Sequence, residues 1–103
     1  MNFHTEPYKE REIGDINPED INICVIGRII DVKDGLIVLD DGTGVIKVTI
    51  SDNKDLKVGD IIRVFGQVFA SQGEMEIRGD FYQMMNGLDM NLYKKVKEVM
   101  KNV

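Results

Sequence analysis

The sequence predicts an all-β fold: a five-stranded Greek-key barrel preceded by an N-terminal arm and followed by one C-terminal α-helix. Three observations carry the prediction. The segment Leu36 to Ile50, LIVLDDGTGVIKVTI, sets two alternating apolar runs either side of Asp41-Gly42-Thr43-Gly44, the pattern of a hairpin. Leu56-Lys57-Val58-Gly59-Asp60 then opens a long run, IIRVFGQVFA, with a glycine at its middle. The last residues switch to a helical period, Leu92, Val96, Val99 and Val103 being spaced four, three and four.

Three segments follow: an arm over residues 1–19, the barrel over 20–85 and the helix over 86–103. The arm has Pro7 and Pro18 and no sustained period, except that Ile13 and Ile16 are spaced to plug one end of a barrel. The first strand is expected from about Ile21 to Lys33, with Ile21, Ile23, Val25, Ile29 and Val32 facing inward and a bend at Gly27. Asp34-Gly35 is a two-residue loop with the chemistry of a primed turn. The second strand covers about Leu36 to Asp40 and the third about Val45 to Ser51. In the third, Ile46, Val48 and Ile50 share one face while Val45, Lys47 and Thr49 share the other, and a slip of one residue would exchange them. The fourth strand runs from about Ile61 to Ala70 with a bend at Gly66. After the tight turn Ser71-Gln72-Gly73, the fifth runs to about Phe81. Asn86 is the expected helix cap, with lysines gathered toward the negative end of the helix dipole.

The 103 residues suit one domain with one core. Net charge is −5, unevenly placed: −4 over residues 1–20, −3 over 21–87 and +2 over 88–103. An acidic barrel argues against strong general DNA binding, which draws on Lys and Arg neutralising phosphates, but leaves room for a local basic stripe. No apolar run spans a bilayer and no secretory start is seen, so a soluble intracellular protein is expected, cytoplasmic and nucleoid-associated in a prokaryote, without membrane contact. Cys24 has no cysteine to pair with and, lying inside a predicted strand, reads as a small buried or half-buried apolar residue. His4 has no second ligand at metal spacing, and neither a metal site nor a cofactor is expected. Asp41-Gly42-Thr43-Gly44 lacks the lysine and helix of a phosphate cradle and reads as a turn.

Three stretches then resemble a known family: Val25-Ile26-Gly27-Arg28-Ile29, Leu39 to Val48, and Leu56 to Gly66. They are similar to the nucleic-acid-binding OB domains of replication protein A and to the related anticodon-binding domains. The resemblance extends through the terminal helix to the smaller replication protein A subunits, a barrel followed by one helix used to assemble with partner subunits. It implies that a single strand crosses the second and third strands, and by position it selects Arg28, Lys33, Val38, Lys47, Thr49, Arg63, Phe69 and Arg78 as nucleic-acid-binding residues. Cations would meet phosphates and Phe69 would stack on a base. The alternative to that role for Phe65, Phe69, Phe81 and Tyr82 is packing.

The expected function is non-catalytic binding of single-stranded DNA or RNA, weak to moderate because both ligand-framing loops are short and the second and third strands lack aromatics. The alternative is an assembly subunit whose helix residues Leu88, Leu92, Val96, Val99 and Val103 contact OB-fold partner subunits or a second copy. A transfer-RNA anticodon reader is a further reading. Nothing in the sequence pairs a nucleophile with a base, so an enzyme is not expected.

Overall fold

The structure is a computed structural model that describes residues 8–101; His4, Val103 and the side chain of Lys101 lie outside the described set. Its strands are β1 (Lys9–Glu10), β2 (Asn22–Lys33), β3 (Leu36–Asp40), β4 (Val45–Thr49), β5 (Ile61–Ser71) and β6 (Glu74–Met84), followed by helix α1 (Met90–Lys101). β2 to β6 are the five predicted strands. β2 is long enough to pair with β5 over Asn22–Arg28 and with β3 over Arg28–Lys33. The antiparallel pairs β3–β4 and β5–β6 and the parallel pair β4–β6 complete the circuit. The result is a closed mixed barrel in which each of the five main strands is paired to a neighbour on both sides over part of its length.

Alternation fills the interior as predicted. Ile46, Val48 and Ile50 face inward with Ile23, Val25, Ile29, Ile37, Leu39, Ile62, Val64 and Ile77. Each aliphatic side chain fully buried there contributes about 1.5–3 kcal/mol. Ile13 and Ile16, set by a 3₁₀ turn over Ile13–Asp15, join this core as the plug.

The bends follow physical need. A register shift lies between Phe65 and Gly66, where Phe65 opposes Phe81 but Gly66 opposes Gly79, so Asp80 is the extra residue. A Cβ on Gly66 would overlap the Arg78 carbonyl, which is why glycine stands there. In β2 the shift falls between Ile29 and Asp31 and not at Gly27: Ile30 turns outward so that Ile29 and Val32 both face the core. Ile21 precedes the strand and is exposed, contrary to its predicted inward place. The primed geometry expected at Asp34-Gly35 is found instead at Gln72-Gly73, where both residues have positive φ, 53° and 83°.

The hairpin turn between β3 and β4 also fastens the arm. Asp41 is buried, its Oδ2 accepting from the Ile13 N–H at 2.8 Å and its Oδ1 from the Thr43 N–H at 2.8 Å and the Thr43 hydroxyl at 2.6 Å. The Thr43 hydroxyl in turn accepts from Gly14 N–H at 2.9 Å.

The helix cap is Asp89, whose Oδ1 accepts from the N–H groups of Asn91 and Leu92 at 3.0 and 3.1 Å. Asn86, the predicted cap, is used elsewhere: its Oδ1 accepts from Ile61 N–H at 2.8 Å and its Nδ2 donates to Asp60 at 3.1 Å. Gly87, at φ 98°, then turns the chain toward α1. The helix lies outside the barrel with Met90, Tyr93 and Lys97 half-buried, and the Tyr93 hydroxyl donates to Glu10 on β1. Burial, then that bond, pushes the Tyr93 phenol well above its usual range. Cys24 and Ile26, on the outer side of β2, are buried on the face that α1 covers, with β1 paired alongside β2 at Ile23 and Cys24, and burial pushes the Cys24 thiol up to about 11.

Candidate nucleic-acid interface

Residues directly opposite one another in paired strands share a face, so pairing registers convert the sequence into rows across the outside of the barrel. One row runs Lys33, Leu36, Thr49, Arg78 and Gln67. It returns to β2 at Asn22, which pairs with Gln67, a mark of the barrel's stagger. The next row runs Asp31, Val38, Lys47, Glu76 and Phe69. The third holds Arg28, Asp40 and Val45.

Charge decides among them. The first row carries two cations and no acid. The second opposes one lysine with two acids, Glu76 being its direct cross-strand partner, and the third is balanced by Arg28 and Asp40. The Lys33–Arg78 row is therefore the cationic stripe of an otherwise acidic barrel. Lys33, Lys47 and Arg78 are exposed, while Leu36, Val38 and Thr49 are half-buried and form the floor between them. The Thr49 hydroxyl donates weakly to the Ile77 carbonyl at 3.4 Å. Arg78 lies over the Phe69 ring, 5.6 Å from its centroid, which joins the two rows at the β5–β6 end.

Six of the eight residues picked out by position are thus brought together: Lys33, Val38, Lys47, Thr49, Phe69 and Arg78. Two stand apart. Arg28 is at the far end of the sheet, its Nη1 donating to the Gly59 carbonyl at 3.4 Å and its side chain lining a recess with Asp40, Gly42 and Lys94. Arg63 pairs with Ile26 on one side and Gln83 on the other, which places it across the barrel beside α1. Position alone did not point to Leu36 or Gln67, which complete the cationic row.

A cavity of about 250 Å³ opens between α1 and the β3–β4 turn, lined by charged groups of both signs, among them Arg11, Glu12, Lys94 and Glu98. Lys94 approaches so closely that a Cβ on Gly42 would overlap its ammonium group. The helix stripe is clear in the structure: Leu92, Val96, Val99 and Met100 are each more than half exposed, whereas Leu88 precedes α1 and is half-buried. Among the described residues no group of three or more His, Cys, Asp or Glu is placed to hold a metal ion, and no helix is long and apolar enough to cross a membrane.

A closed five-stranded barrel of this order, with Lys33 of β2 and Arg78 of β6 flanking the outer face of β3 and β4, defines an OB-fold protein of the nucleic-acid-binding class. Residues 23–84 match the transfer-RNA anticodon family described as an OB-fold nucleic acid binding domain, and the chain belongs to that family. No curated protein matches the sequence at a significant level. Among solved structures, a chain of the S. pombe Stn1-Ten1 complex is similar with a TM-score of 0.76 at 14% identity, covering 95% of each chain. A chain of U. maydis replication protein A bound to single-stranded DNA gives a TM-score of 0.67 at 12% identity, covering 92% of this chain and 90% of that one. The second OB-fold domain of replication protein A from Methanococcus maripaludis gives a TM-score of 0.63 at 23% identity, covering 76% and 96%. At these identities the likeness is one of fold.

Proposed function

We propose that this protein binds single-stranded nucleic acid, DNA foremost, without catalysing a reaction. The strand lies across β3 and β4 along the row from Lys33 to Arg78, with Phe69 stacking on a base at one end. The observation that carries this reading is the placement of the net-positive row on the outer face of a nucleic-acid-binding family's barrel. A similar replication protein A chain is described as bound to single-stranded DNA, which supports the same ligand class here. Affinity is modest, because the turns framing the face, Asp34-Gly35 and Gln72-Gly73, each have two residues and cannot close over a strand. Fluorescence anisotropy with labelled oligo-dT at low salt tests it, in parallel with oligo-U and a folded RNA hairpin. Absence of oligo-dT binding at tens of micromolar overturns the reading, and preference for the hairpin favours an anticodon-type reader.

A second reading is favoured by the exposed stripe Leu92, Val96, Val99 and Met100, an apolar face that α1 turns away from its own barrel. In this reading the chain assembles through α1 with an OB-fold partner subunit or a second copy, as befits its likeness to a chain of the Stn1-Ten1 complex. Light scattering on the wild type and on Val96→Asp with Val99→Asp tests it. A monomer unaffected by the substitutions, with no partner recovered from the source cell, removes it.

A further inference from the structure

Beyond the cationic row, the outer face of the β5–β6 hairpin continues past Phe69 and Arg78 as a ladder of outward residues. Phe65 pairs with Phe81 and Arg63 with Gln83. The two phenylalanine rings stack on each other, centroids 4.6 Å apart and planes at 20°. Tyr8 meets both rings edge-on, at 5.4 and 5.8 Å. Its hydroxyl donates to Asp80 Oδ2 at 2.7 Å, and Gln67 Nε2 donates to the same oxygen at 2.6 Å, so a polar network fixes the tyrosine against the stack. Arg63 lies over the Phe65 ring at 6.0 Å and donates to Gln83 only at a long 3.4 Å, a weak use of a five-donor fork. The stack is open at Phe81, which is 51% exposed.

We infer that Phe65 and Phe81, braced by Tyr8 and flanked by Arg63, form a second base-stacking platform, one that takes an unpaired base leaving the Lys33–Arg78 row. The inference rests on the single-strand reading and extends the path along β5, where Arg63, Phe65, Gln67 and Phe69 alternate outward and the two phenylalanines stand roughly 14 Å apart. A base suits the platform better than a protein does. At Phe65 both edges of β5 are paired, to Cys24 of β2 and to Phe81 of β6, so no strand can add to β5 there. Two rings offer at most about 500 Å², and part of that is spent on their own stack, whereas a stable protein contact needs about 800 Å² per side. Of the surrounding polar groups, Arg63, Gln67 and Gln83 carry donors for the phosphate edge of an aromatic ligand, while the Asp80 carboxylate is taken up by Tyr8 and Gln67.

The test uses the fact that the sequence has no tryptophan. Phe81→Trp places a single reporter on the platform, titrated with oligo-dT and with an abasic oligodeoxynucleotide of equal length. Phe81→Leu, which keeps apolar bulk without the ring face, is compared with the wild type by anisotropy. The expected result is quenching of Trp by oligo-dT but not by the abasic chain, and a loss of oligo-dT affinity in Phe81→Leu of about five- to a hundredfold. Circular dichroism confirms that each variant is folded. Wild-type affinity in Phe81→Leu, with binding weakened by Arg78→Ala, overturns the platform while leaving the function intact. A change of oligomeric mass in Phe81→Leu without a change in oligo-dT affinity overturns it in favour of a protein contact. Failure of the wild type to bind oligo-dT at all takes both readings down.

Discussion

Replacing Asp41 with alanine tests how the arm is held to the barrel. The carboxylate accepts from Ile13 N–H, Thr43 N–H and the Thr43 hydroxyl at 2.8, 2.8 and 2.6 Å, and from Gly44 N–H at 3.3 Å. Hydrogen bonds to a charged acceptor contribute about 1.5–3 kcal/mol each, but water replaces the carboxylate at the exposed Thr43, so most of that share is recovered. The Ile13 N–H is in a buried setting where water does not follow, and an orphaned buried donor costs about 1–3 kcal/mol. The plug formed by Ile13 and Ile16 loosens with it. Together the loss is about 2–4 kcal/mol, which lowers the urea midpoint by roughly 2 M at an m-value near 1.5 kcal/mol/M. Thermal unfolding moves down by roughly 10–25 °C. Asp41→Asn keeps one acceptor oxygen and falls between alanine and wild type. Asp40→Ala, which removes only the bond from the exposed Gly42 N–H at 2.7 Å, serves as the control. Urea unfolding followed by circular dichroism is the assay, and a loss below about 1 kcal/mol for Asp41→Ala refutes the clamp.

Oligo-dT affinity is expected to fall with salt at a log–log slope of about −1.4, two cations at ~0.7 each, or roughly sevenfold from about 50 to 200 mM; a slope beyond about −3 shows that further cations take part. Stability falls in acid. Asp20 is held low chiefly by the Asn17 N–H, against burial and with help from Arg11, and in Asp60 burial pushes upward but is outweighed by Asn86 and by the backbone and ammonium of Lys57. Both folded values lie below the ordinary 3.8, so the unfolded chain binds more protons and the stabilisation, complete above about pH 5, is lost as pH falls through the folded values. Urea midpoints between about pH 6 and 2 check this, and Asp60→Asn should flatten the profile. Asp89→Ala removes the cap of α1 and costs that helix about 0.5–2 kcal/mol, read as faster hydrogen exchange over Asn91 and Leu92 with the barrel unchanged. Cys24, buried and with its thiol near 11, should resist alkylation at about pH 8 until urea unfolds the chain; rapid labelling of the native protein contradicts the docking of α1 over the outer side of β2.

Much of this fold is written in local patterns. The third-strand alternation put Ile46, Val48 and Ile50 inside, and the spacing of Ile13 and Ile16 announced the plug. What local pattern does not carry is position around the barrel. Alternation divides residues into inward and outward, but the outward face of a closed cylinder goes all the way round. Arg63 and Phe69 have the same parity on β5, yet one opposes Ile26 beneath the helix and the other opposes Glu76 beside the cationic row. Pairing partners decide this, and they are distant in sequence. The cap was missed for a related reason. Asn86 and Asp89 are both good cap residues, and only the demand of the Ile61 N–H and Asp60 for a partner explains why Asn86 is taken out of that role.

The net charge of −5 and a polyanionic ligand are compatible because of where the acids stand. Asp41 and Asp60 are buried in backbone and side-chain bonds, Asp20 pairs with Arg11, Asp80 holds Tyr8 and Gln67, and Glu10 accepts from Tyr93. These carboxylates hold the fold together, and all lie off the β3–β4 face. On that face Lys33 and Arg78 are three interstrand spacings apart, roughly 14 Å, beyond the screening length of about 8 Å at physiological salt. Each therefore meets its own phosphate without help from the other. Lys47 sits one spacing, about 4.8 Å, from Glu76, and most of its attraction for a phosphate is cancelled there. The face thus offers two independent cations and an aromatic end at Phe69. That supports a weak, salt-sensitive grip which needs a second contact to become tight, whether from the rings of Phe65 and Phe81 or from a partner bound along α1.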